Sequence, residues 1–367
     1  MKRILCLVSM MDTGGAETFL MKLYRAVDRT KFQFDFCVNV DRECYYDEEI
    51  VSLGGMIYHI PSKTKNPIEF KRQLSGIVKQ NRYEYVLRIT SNSIGFWDLK
   101  IAKTAGARIC VARSSNSSDG GGILALVLNI LGRKAFGRYV DIRIAPSKMA
   151  AQYTFGRKNV ALNRVYYLHN GINLEQYKYS ESARRRIRTT LGIKDDEILI
   201  GHVGRFSEQK NHEFLLDVFY RAYLVDRRYK LVLVGDGALR GAIEKKVKQL
   251  DIAKCVMFLG VRKDIPDLLS AMDLFVFPSF YEGMPNTVIE AQATGLPCII
   301  SNTITSEVAI TNCVTFLELD EIEKWVEAIT SYEQTDREKT GSDLQKSHYD
   351  IRDVANEFIN LIFGEET

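Results

Sequence analysis

Short apolar runs alternate with amphipathic stretches along the whole chain. Runs at 3–9, 33–39, 84–89, 107–112 and 141–145 are rich in Ile, Val, Leu and Phe and predict strands. Between them, apolar residues recur every three or four positions at 16–27, 67–80, 94–105 and 147–155, which predicts helices. The alternation starts again after residue 195. Strands are expected near 198–203, 230–235, 256–259, 273–277 and 297–300, and helices near 211–225, 238–250 and 285–294. Strands that alternate with helices in this way form parallel sheets covered by helices on both faces. Two such sets predict two doubly wound α/β domains. The join is expected near Gly171 to Tyr179, ahead of a basic helix at 181–190. A last helical pattern, Ile351 to Phe363, gathers Val354, Phe358, Leu361 and Ile362 on one side. Doubly wound sheets bind ligands beyond the carboxyl ends of their strands, so candidate chemistry is sought in the loops that follow strands.

Length and composition agree with this picture. A chain of 367 residues exceeds one comfortable core, and 46% apolar with 26% charged residues is ordinary for a globular protein. The seven cysteines (Cys6, Cys37, Cys44, Cys110, Cys255, Cys298 and Cys313) contain no CxxC pair, and most lie in apolar runs. That favours a reducing, cytoplasmic location over a disulfide framework or zinc site. Lys2-Arg3 followed by Ile4 to Met11 resembles a signal peptide superficially, but the run is short and is read as a first buried strand. The apolar stretch Ile123 to Leu131 is half the length needed to span a bilayer. Charge is uneven. Residues 1–175 carry a net +11 and the remainder −7, which together give the overall +4. A basic first half suits anionic lipid or a phosphate-bearing substrate, and equally an ordinary solvated surface. A pI near 8.5 with no recognisable module gives no support to nucleic-acid binding.

Three loops after strands carry the candidate chemistry. After the strand at 273–277 comes Pro278-Ser279-Phe280-Tyr281-Glu282-Gly283-Met284-Pro285-Asn286-Thr287-Val288-Ile289-Glu290. Pro285 is expected as the first residue of a helix, whose free amides and positive dipole end suit a diphosphate. Eight helical residues between Glu282 and Glu290 would span roughly 12 Å, enough to reach from a sugar across a diphosphate to a ribose. Ionised carboxylates are pure acceptors, suited to sugar and ribose hydroxyls. Taken alone, two glutamates at this spacing are also a common surface pattern. After the strand at 198–203 comes Gly204-Arg205-Phe206-Ser207-Glu208-Gln209-Lys210-Asn211. Arg205 offers a planar fork and Lys210 a point charge for a diphosphate. Gly235-Asp236-Gly237 follows the second strand of this set, at 230–235. The next glycine is Gly241, so the GxGxxG dinucleotide fingerprint is missed and a tight strand-to-helix turn is expected instead.

Together and in this order, these elements resemble glycosyltransferase family 4, of the GT-B fold. Pro278-Ser279 with Glu282, Gly283, Glu290, Ala291, Gly295, Leu296 and Pro297 resembles the family's E-x7-E segment. Gly204-Arg205 with Lys210-Asn211 resembles its diphosphate loop, Gly235-Asp236-Gly237 its GDG turn, and Asn170-Gly171-Ile172 its NGI element. Gly14-Gly15-Ala16-Glu17 resembles the glycine loop after its first strand. The resemblance runs from about residue 4 to 363 and is strongest toward bacterial exopolysaccharide and capsular polysaccharide enzymes.

The resemblance implies two Rossmann-like domains facing across a cleft, with the C-terminal helix crossing back. Residues 1–175 with 350–367 would form an acceptor-binding domain, and 176–349 a donor-binding domain. It implies a retaining transfer from a nucleotide-diphosphate sugar, by default a UDP-sugar, without metal or other cofactor. The acceptor would be a glycan or a polyprenyl-diphosphate-linked sugar. In the implied roles Arg205 and Lys210 hold the donor diphosphate, Glu282 the sugar and Glu290 the ribose. Backbone amides of Asn286, Thr287 and Val288 reach phosphate or sugar, and Val261-Arg262 border the base. Gly15 lets backbone approach the diphosphate, having no Cβ to obstruct it. Relatives often carry a histidine after the fifth strand, where this chain reads Ala112-Arg113-Ser114-Ser115-Asn116-Ser117-Ser118. Arg113 or Ser115 is the candidate replacement as a sugar or acceptor contact. The five histidines (His59, His169, His202, His212 and His348) are scattered in sequence, and His212 is read as a packing or helix-start residue. The segment from Ile123 to Tyr139, apolar then basic, is either a buried helix or a peripheral contact with the inner face of the membrane. The readings that compete are a nucleotide-sugar epimerase or phosphorylase on a related scaffold, and a non-catalytic sugar-nucleotide-binding protein.

Overall fold

In a computed structural model, residues 1–12, 14–115, 122–333, 337, 344 and 347–364 are described, with backbone alone at 122–125. The chain divides into two compact units. The first is Met1–Gly171 with Tyr349–Thr367, and the second is Ile172–His348.

Among the described residues the first unit holds seven strands: β1 (Lys2–Leu7), β2 (Phe32–Val38), β3 (Ile57–His59), β4 (Tyr85–Thr90), β5 (Ile109–Ser114), β6 (Ile142–Ala145) and β7 (Tyr166–Tyr167). Their order is β3-β2-β1-β4-β5-β6-β7, with every pairing parallel. The second unit holds six: β8 (Ile198–Val203), β9 (Tyr229–Val234), β10 (Val256–Gly260), β11 (Leu274–Phe277), β12 (Cys298–Ser301) and β13 (Val314–Leu317). Their order, β10-β9-β8-β11-β12-β13, repeats the same winding, again all parallel. Each sheet is therefore a doubly wound Rossmann-like sheet. Its topological switch point lies between β1 and β4 in one unit and between β8 and β11 in the other.

The apolar run at the N-terminus is explained by burial on two sides. Ile4 and Cys6 of β1 pack on one face with Phe19, Leu20 and Leu23 of the helix Gly15–Ala26, and with Val354, Phe358 and Ile362. Leu5 and Leu7 pack on the other, with Phe70 and Leu74 of the helix Pro67–Gln80 and Leu99 of the helix Phe96–Ala105. A strand covered on both faces reads as a continuous hydrophobic run, not an alternation. The helix Ile351–Phe363 returns to the first unit, where the Phe363 ring meets those of Phe32 and Tyr85 at 5.1 and 4.5 Å. Gly171 makes room for it, since a Cβ there would lie 2.6 Å from Ile351 Cδ1 and 3.0 Å from its Cα.

The second unit is held by a buried ionic node beneath its sheet. Asp273 accepts from Arg184 Nη2 at 2.5 Å, Arg188 Nη1 at 2.9 Å and the Leu199 amide at 2.7 Å. The basic helix expected at 181–190 is thus the helix Glu181–Leu191, of which Arg184 and Arg188 turn inward to this carboxylate while Arg185 and Arg186 stay exposed. All seven cysteines are free thiols, six of them buried. Strands β3, β7 and β13 and the helices Ile265–Ala271 and Ile322–Thr330 were not expected from the sequence pattern. The strands are two to four residues long, too short to show a period.

Candidate functional site

The site of the second unit is built at its switch point, where the loops after β8 and β11 lie side by side. The first loop passes through a short turn, Glu208–Lys210, and reverses at Asn211, whose φ of 53° and ψ of 47° are left-handed. Asparagine tolerates that conformation better than most residues. The helix His212–Val225 then starts at once. The two loops are sewn together by the Phe280 amide donating to Gln209 O at 2.9 Å and by Gln209 Nε2 donating to Tyr281 O at 2.8 Å.

This places Lys210 Nζ 2.6 Å from Glu282 Oε1 and 4.4 Å from the centre of the Phe277 ring. The two side chains are only 16% and 12% exposed, so the pair is shielded enough for its charges to matter. Gly204 lets the lysine stem pass, because a Cβ there would lie 3.2–3.3 Å from Lys210 Cδ and Cε. Arg205 is exposed beside it, on a loop anchored by buried Phe206, which stacks on His212 at 4.2 Å.

The glycines of Gly235-Asp236-Gly237 serve this loop. Their φ values are +133° and +159°, and a Cβ would strike Gly204 O at 2.1 Å and Phe206 O at 2.5 Å. The turn also exchanges backbone bonds with the loop. Phe206 N donates to Asp236 O at 3.0 Å and Leu239 N to Phe206 O at 3.1 Å. The glycines hold the Arg205 loop in place, as the expected tight turn before the helix Arg240–Gln249.

Two expectations about the second glutamate need correction. Pro285 is the cap, with φ −73° and ψ 112°, and the helix runs Asn286–Ala293. Only four of the eight steps from Glu282 to Glu290 are helical, so the estimate of roughly 12 Å from an unbroken helix does not apply. Glu290 is buried, at 6% exposure. The Val288 amide already donates to Pro285 O at 3.2 Å, which leaves the amides of Asn286 and Thr287 at the helix start. Ser279 Oγ and Asn286 Oδ1 are buried here with no hydrogen-bond partner, an unusual state for polar atoms unless a ligand or water meets them. Ser279 was not singled out as a contact from sequence. Val261 and Arg262 follow β10 on the same end of the sheet. Val261 is exposed, and Arg262 is bound to Asp264 at 2.6–2.8 Å.

The histidines are less scattered than their numbering suggests. His202, at the end of β8, and His212 meet edge to face at 4.7 Å, wholly buried behind Lys210. His202 Nδ1 lies 2.9 Å from Val276 O, whereas His202 Nε2 and both His212 nitrogens have no partner. Burial lowers both, His202 well below the usual range and His212 to about 4, with nearby Lys210 acting in the same direction. Both are neutral packing groups at pH 7, as read for His212.

In the first unit Gly15 opens the helix Gly15–Ala26 just beyond β1. A Cβ there would meet nothing within 4 Å, so packing does not require the glycine. Arg113 and Ser114 were assigned to a loop, but β5 extends through Ser114 and pairs Arg113 with Ile89 and Ile144. In-strand pairing directs the Arg113 guanidinium onto the Phe19 ring, 3.5 Å from its centre, and toward Asn170 Oδ1, to which Nη2 donates. Arg113 is 2% exposed and Nε has no partner. Burial alone lowers it to about 9. Ser115 donates its amide to Thr90 O at 3.0 Å. Asn116, Ser117 and Ser118 lie outside the described residues.

Comparison with known proteins fits this geometry. Residues 13–176 match the family described as Glycosyltransferase Family 4, and residues 197–334 match Glycosyl transferases group 1. EpsF of Bacillus subtilis (strain 168), classed as a glycosyltransferase, is 41% identical over 337 residues, covering 89% of this chain and 87% of its own length. The UDP-Gal:alpha-D-GlcNAc-diphosphoundecaprenol alpha-1,3-galactosyltransferase of Escherichia coli is 31% identical over 173 residues, 45% of this chain and 44% of that one. Among solved structures, HepE of Anabaena in complex with UDP and glucose superposes with a TM-score of 0.79 over 100% of both chains, at 18% identity. Sucrose-phosphate synthase from Thermosynechococcus elongatus superposes with a TM-score of 0.78 over 99% of both, at 16% identity. These two likenesses speak to the fold, and the EpsF match speaks to the family. The chain belongs to glycosyltransferase family 4 and has the GT-B fold.

Proposed function

We propose that this glycosyltransferase moves a sugar from a UDP-sugar, with retention of configuration, to a glycan or lipid-diphosphate-linked acceptor in surface polysaccharide synthesis. The observation that carries the proposal is the Lys210–Glu282 pair, held at 2.6 Å where the loops after β8 and β11 meet. Arg205 and Lys210 supply two cations for a departing diphosphate, and Glu282 an acceptor for sugar hydroxyls. Glu290 is assigned to the ribose, and the amides of Asn286 and Thr287 to phosphate or sugar. Gly15 is assigned to close backbone approach, and Arg113 and Ser115 to the sugar or the acceptor.

The acceptor hydroxyl attacks the anomeric carbon as the bond to the diphosphate oxygen breaks. Its proton passes to that departing oxygen, and a nucleoside diphosphate leaves. The chain supplies positioning and charge stabilisation in this scheme, and no protein nucleophile is needed. The two cations meet the leaving-group charge, so the proposal includes no metal or other cofactor. The proposed place of action is the cytoplasmic side of the membrane that holds the acceptor. The galactosyltransferase relative is named for a UDP-sugar donor and an undecaprenol-diphosphate acceptor, and HepE was crystallised with UDP and glucose, which supports this choice of chemistry.

A thermal-shift panel of UDP-, GDP-, ADP- and dTDP-sugars tests the donor class. A true donor at 100 times its Kd should stabilise the protein by about 2.7 kcal/mol. Stabilisation by UDP-sugars that Lys210→Ala abolishes is the expected result. Equal indifference to every nucleotide sugar would overturn the donor assignment. Acceptor-free conversion of the bound sugar would point instead to an epimerase.

A further inference from the structure

Four arginines are buried among the described residues: Arg88, Arg113, Arg188 and Arg337. Three have a carboxylate or a full set of acceptors. Arg88 lies 3.0 Å from Asp98, and Arg188 lies 2.9 Å from Asp273. Arg337 donates from all three of its nitrogens, to the carbonyls of Leu269, Ser270, Met272 and Thr294 and to Thr294 Oγ1. Arg113 has neither provision. Its Nη1 reaches Ser114 O only at 3.4 Å, its Nη2 donates to the neutral Asn170 Oδ1, and its Nε has no partner. Burial alone lowers it, to about 9, and no nearby charge offsets that cost.

The unfilled atom lies on a particular edge of the group. Arg3, Arg25 and Arg262 each hold a carboxylate with the Nε–Nη2 edge, one oxygen on each nitrogen at 2.6–2.8 Å. On Arg113 the same edge carries an amide oxygen at Nη2 and nothing at Nε, so it is half filled and lacks a negative charge. Three elements of the first unit meet here. Arg113 stands one residue from the end of β5, on the Phe19 ring of the helix that follows β1, and beside Asn170, which follows β7. These positions lie at the carboxyl ends of strands, where doubly wound sheets bind ligands. Asn170 is itself partly exposed, so the group that shares the edge is one that an incoming ligand can displace without opening the core.

We propose that Arg113 receives a carboxylate carried by the substrate, which makes a uronic acid or another carboxylate-bearing sugar the preferred class. One carboxylate oxygen takes Nε and the other takes Nη2, in place of Asn170 Oδ1. One guanidinium supplies one positive charge, which suits a carboxylate better than a doubly charged phosphate, and its planar fork matches two coplanar oxygens. The Phe19 ring, 3.5 Å from the guanidinium carbon, fixes the group without using any of its donors. The acid belongs either to the donor sugar or to the acceptor glycan, and the chemistry at Arg113 is the same for both. The inference rests on the proposed sugar transfer and adds to it the charge of the sugar that Arg113 contacts.

The test is calorimetric titration of the full chain with ligands matched except at the carboxyl group. The donor arm compares UDP-glucuronate with UDP-glucose and UDP-galacturonate with UDP-galactose. The acceptor arm compares a uronate oligosaccharide with its carboxyl-reduced form. In one arm the acid should bind at least about tenfold more tightly than its neutral match. Arg113→Met should bring that ratio to about one. Arg113→Lys keeps the charge but loses the fork, and should leave a ratio of about three. A urea midpoint close to that of wild type shows that the variants are folded. Should Arg113→Met fail to fold, the wild-type ratio and Arg113→Lys decide. A preference in the donor arm assigns an acidic donor sugar, and one in the acceptor arm an acidic acceptor. No preference in either arm, or a preference that survives Arg113→Met, overturns the inference. UDP-sugar binding without any carboxylate preference would refute it and leave the proposed function standing. Carboxylate preference in the acceptor arm with no UDP-sugar bound would do the reverse.

Discussion

The two units wind their strands in the same order, yet they treat charge and apolar surface differently. Each unit matches some of its buried charges, Asp98 with Lys63 and Arg88 in the first and two carboxylates in the second. Asp273 is shared by Arg184 and Arg188, and Lys210 is paired with Glu282. In the first unit Arg113 is fully buried against Phe19 and Asn170, and no carboxylate among the described residues offsets it. The second unit's basic helix turns Arg184 and Arg188 inward, whereas the first unit's helix Gly122–Phe136 turns Leu126, Leu128 and Leu131 outward. The second unit thus pairs the lysine of its candidate site with a carboxylate, while its buried Arg337 meets only backbone carbonyls and Thr294.

This contrast can be broken by mutation. Asp273→Ala would leave the Arg184 and Arg188 guanidinium groups with backbone carbonyls but no carboxylate and should destabilise the second unit by about 3 kcal/mol, seen as a lower urea midpoint. A loss under 1 kcal/mol would mean that the node is not the balanced core described here. The buried histidines give a smaller, pH-dependent effect. His212 is lowered to about 4 and His202 moves the same way, so the unfolded chain takes up protons first as pH falls. Their contribution is full above about pH 6.5 and is lost progressively toward pH 4, by at most about 3 kcal/mol for His212. Urea titrations across this range should show it, and His212→Phe should flatten the slope. A slope unchanged in His212→Phe would assign the pH dependence to other groups. Arg113→Met should give the smallest effect on stability, within about 1 kcal/mol of wild type and of either sign, because an uncompensated buried cation costs as much as it contributes. A loss of several kcal/mol would make Arg113 a structural residue instead.

Much of the fold was legible because strands buried on both faces write continuous apolar runs, as at Ile4–Leu7 and Ile198–Val203. The edge strands β3, β7 and β13 were not, since so few residues carry no readable period. Arg205, Lys210 and Glu282 were singled out because ligands in doubly wound sheets bind in the loops that follow strands, and the structure brings Lys210 and Glu282 together there. Their mutual geometry was beyond reach, because the Lys210–Glu282 contact joins positions 72 residues apart. The same limit hid the His202–His212 contact and the partnerless Ser279 Oγ. Arg113 was misplaced into a loop because a charged residue inside an apolar strand reads as the strand's end. Here a cation resting on an aromatic ring allowed β5 to run two residues further.

The central claim is that the shielded Lys210–Glu282 pair is the heart of a donor site. It is tested most directly by donor-dependent release of nucleoside diphosphate, with the preferred donor and an acceptor extract, for wild type, Lys210→Ala and Glu282→Ala. Each variant should lose about 10²–10³ in turnover while circular dichroism and the unfolding midpoint show a folded chain. Full activity in both folded variants would contradict the account.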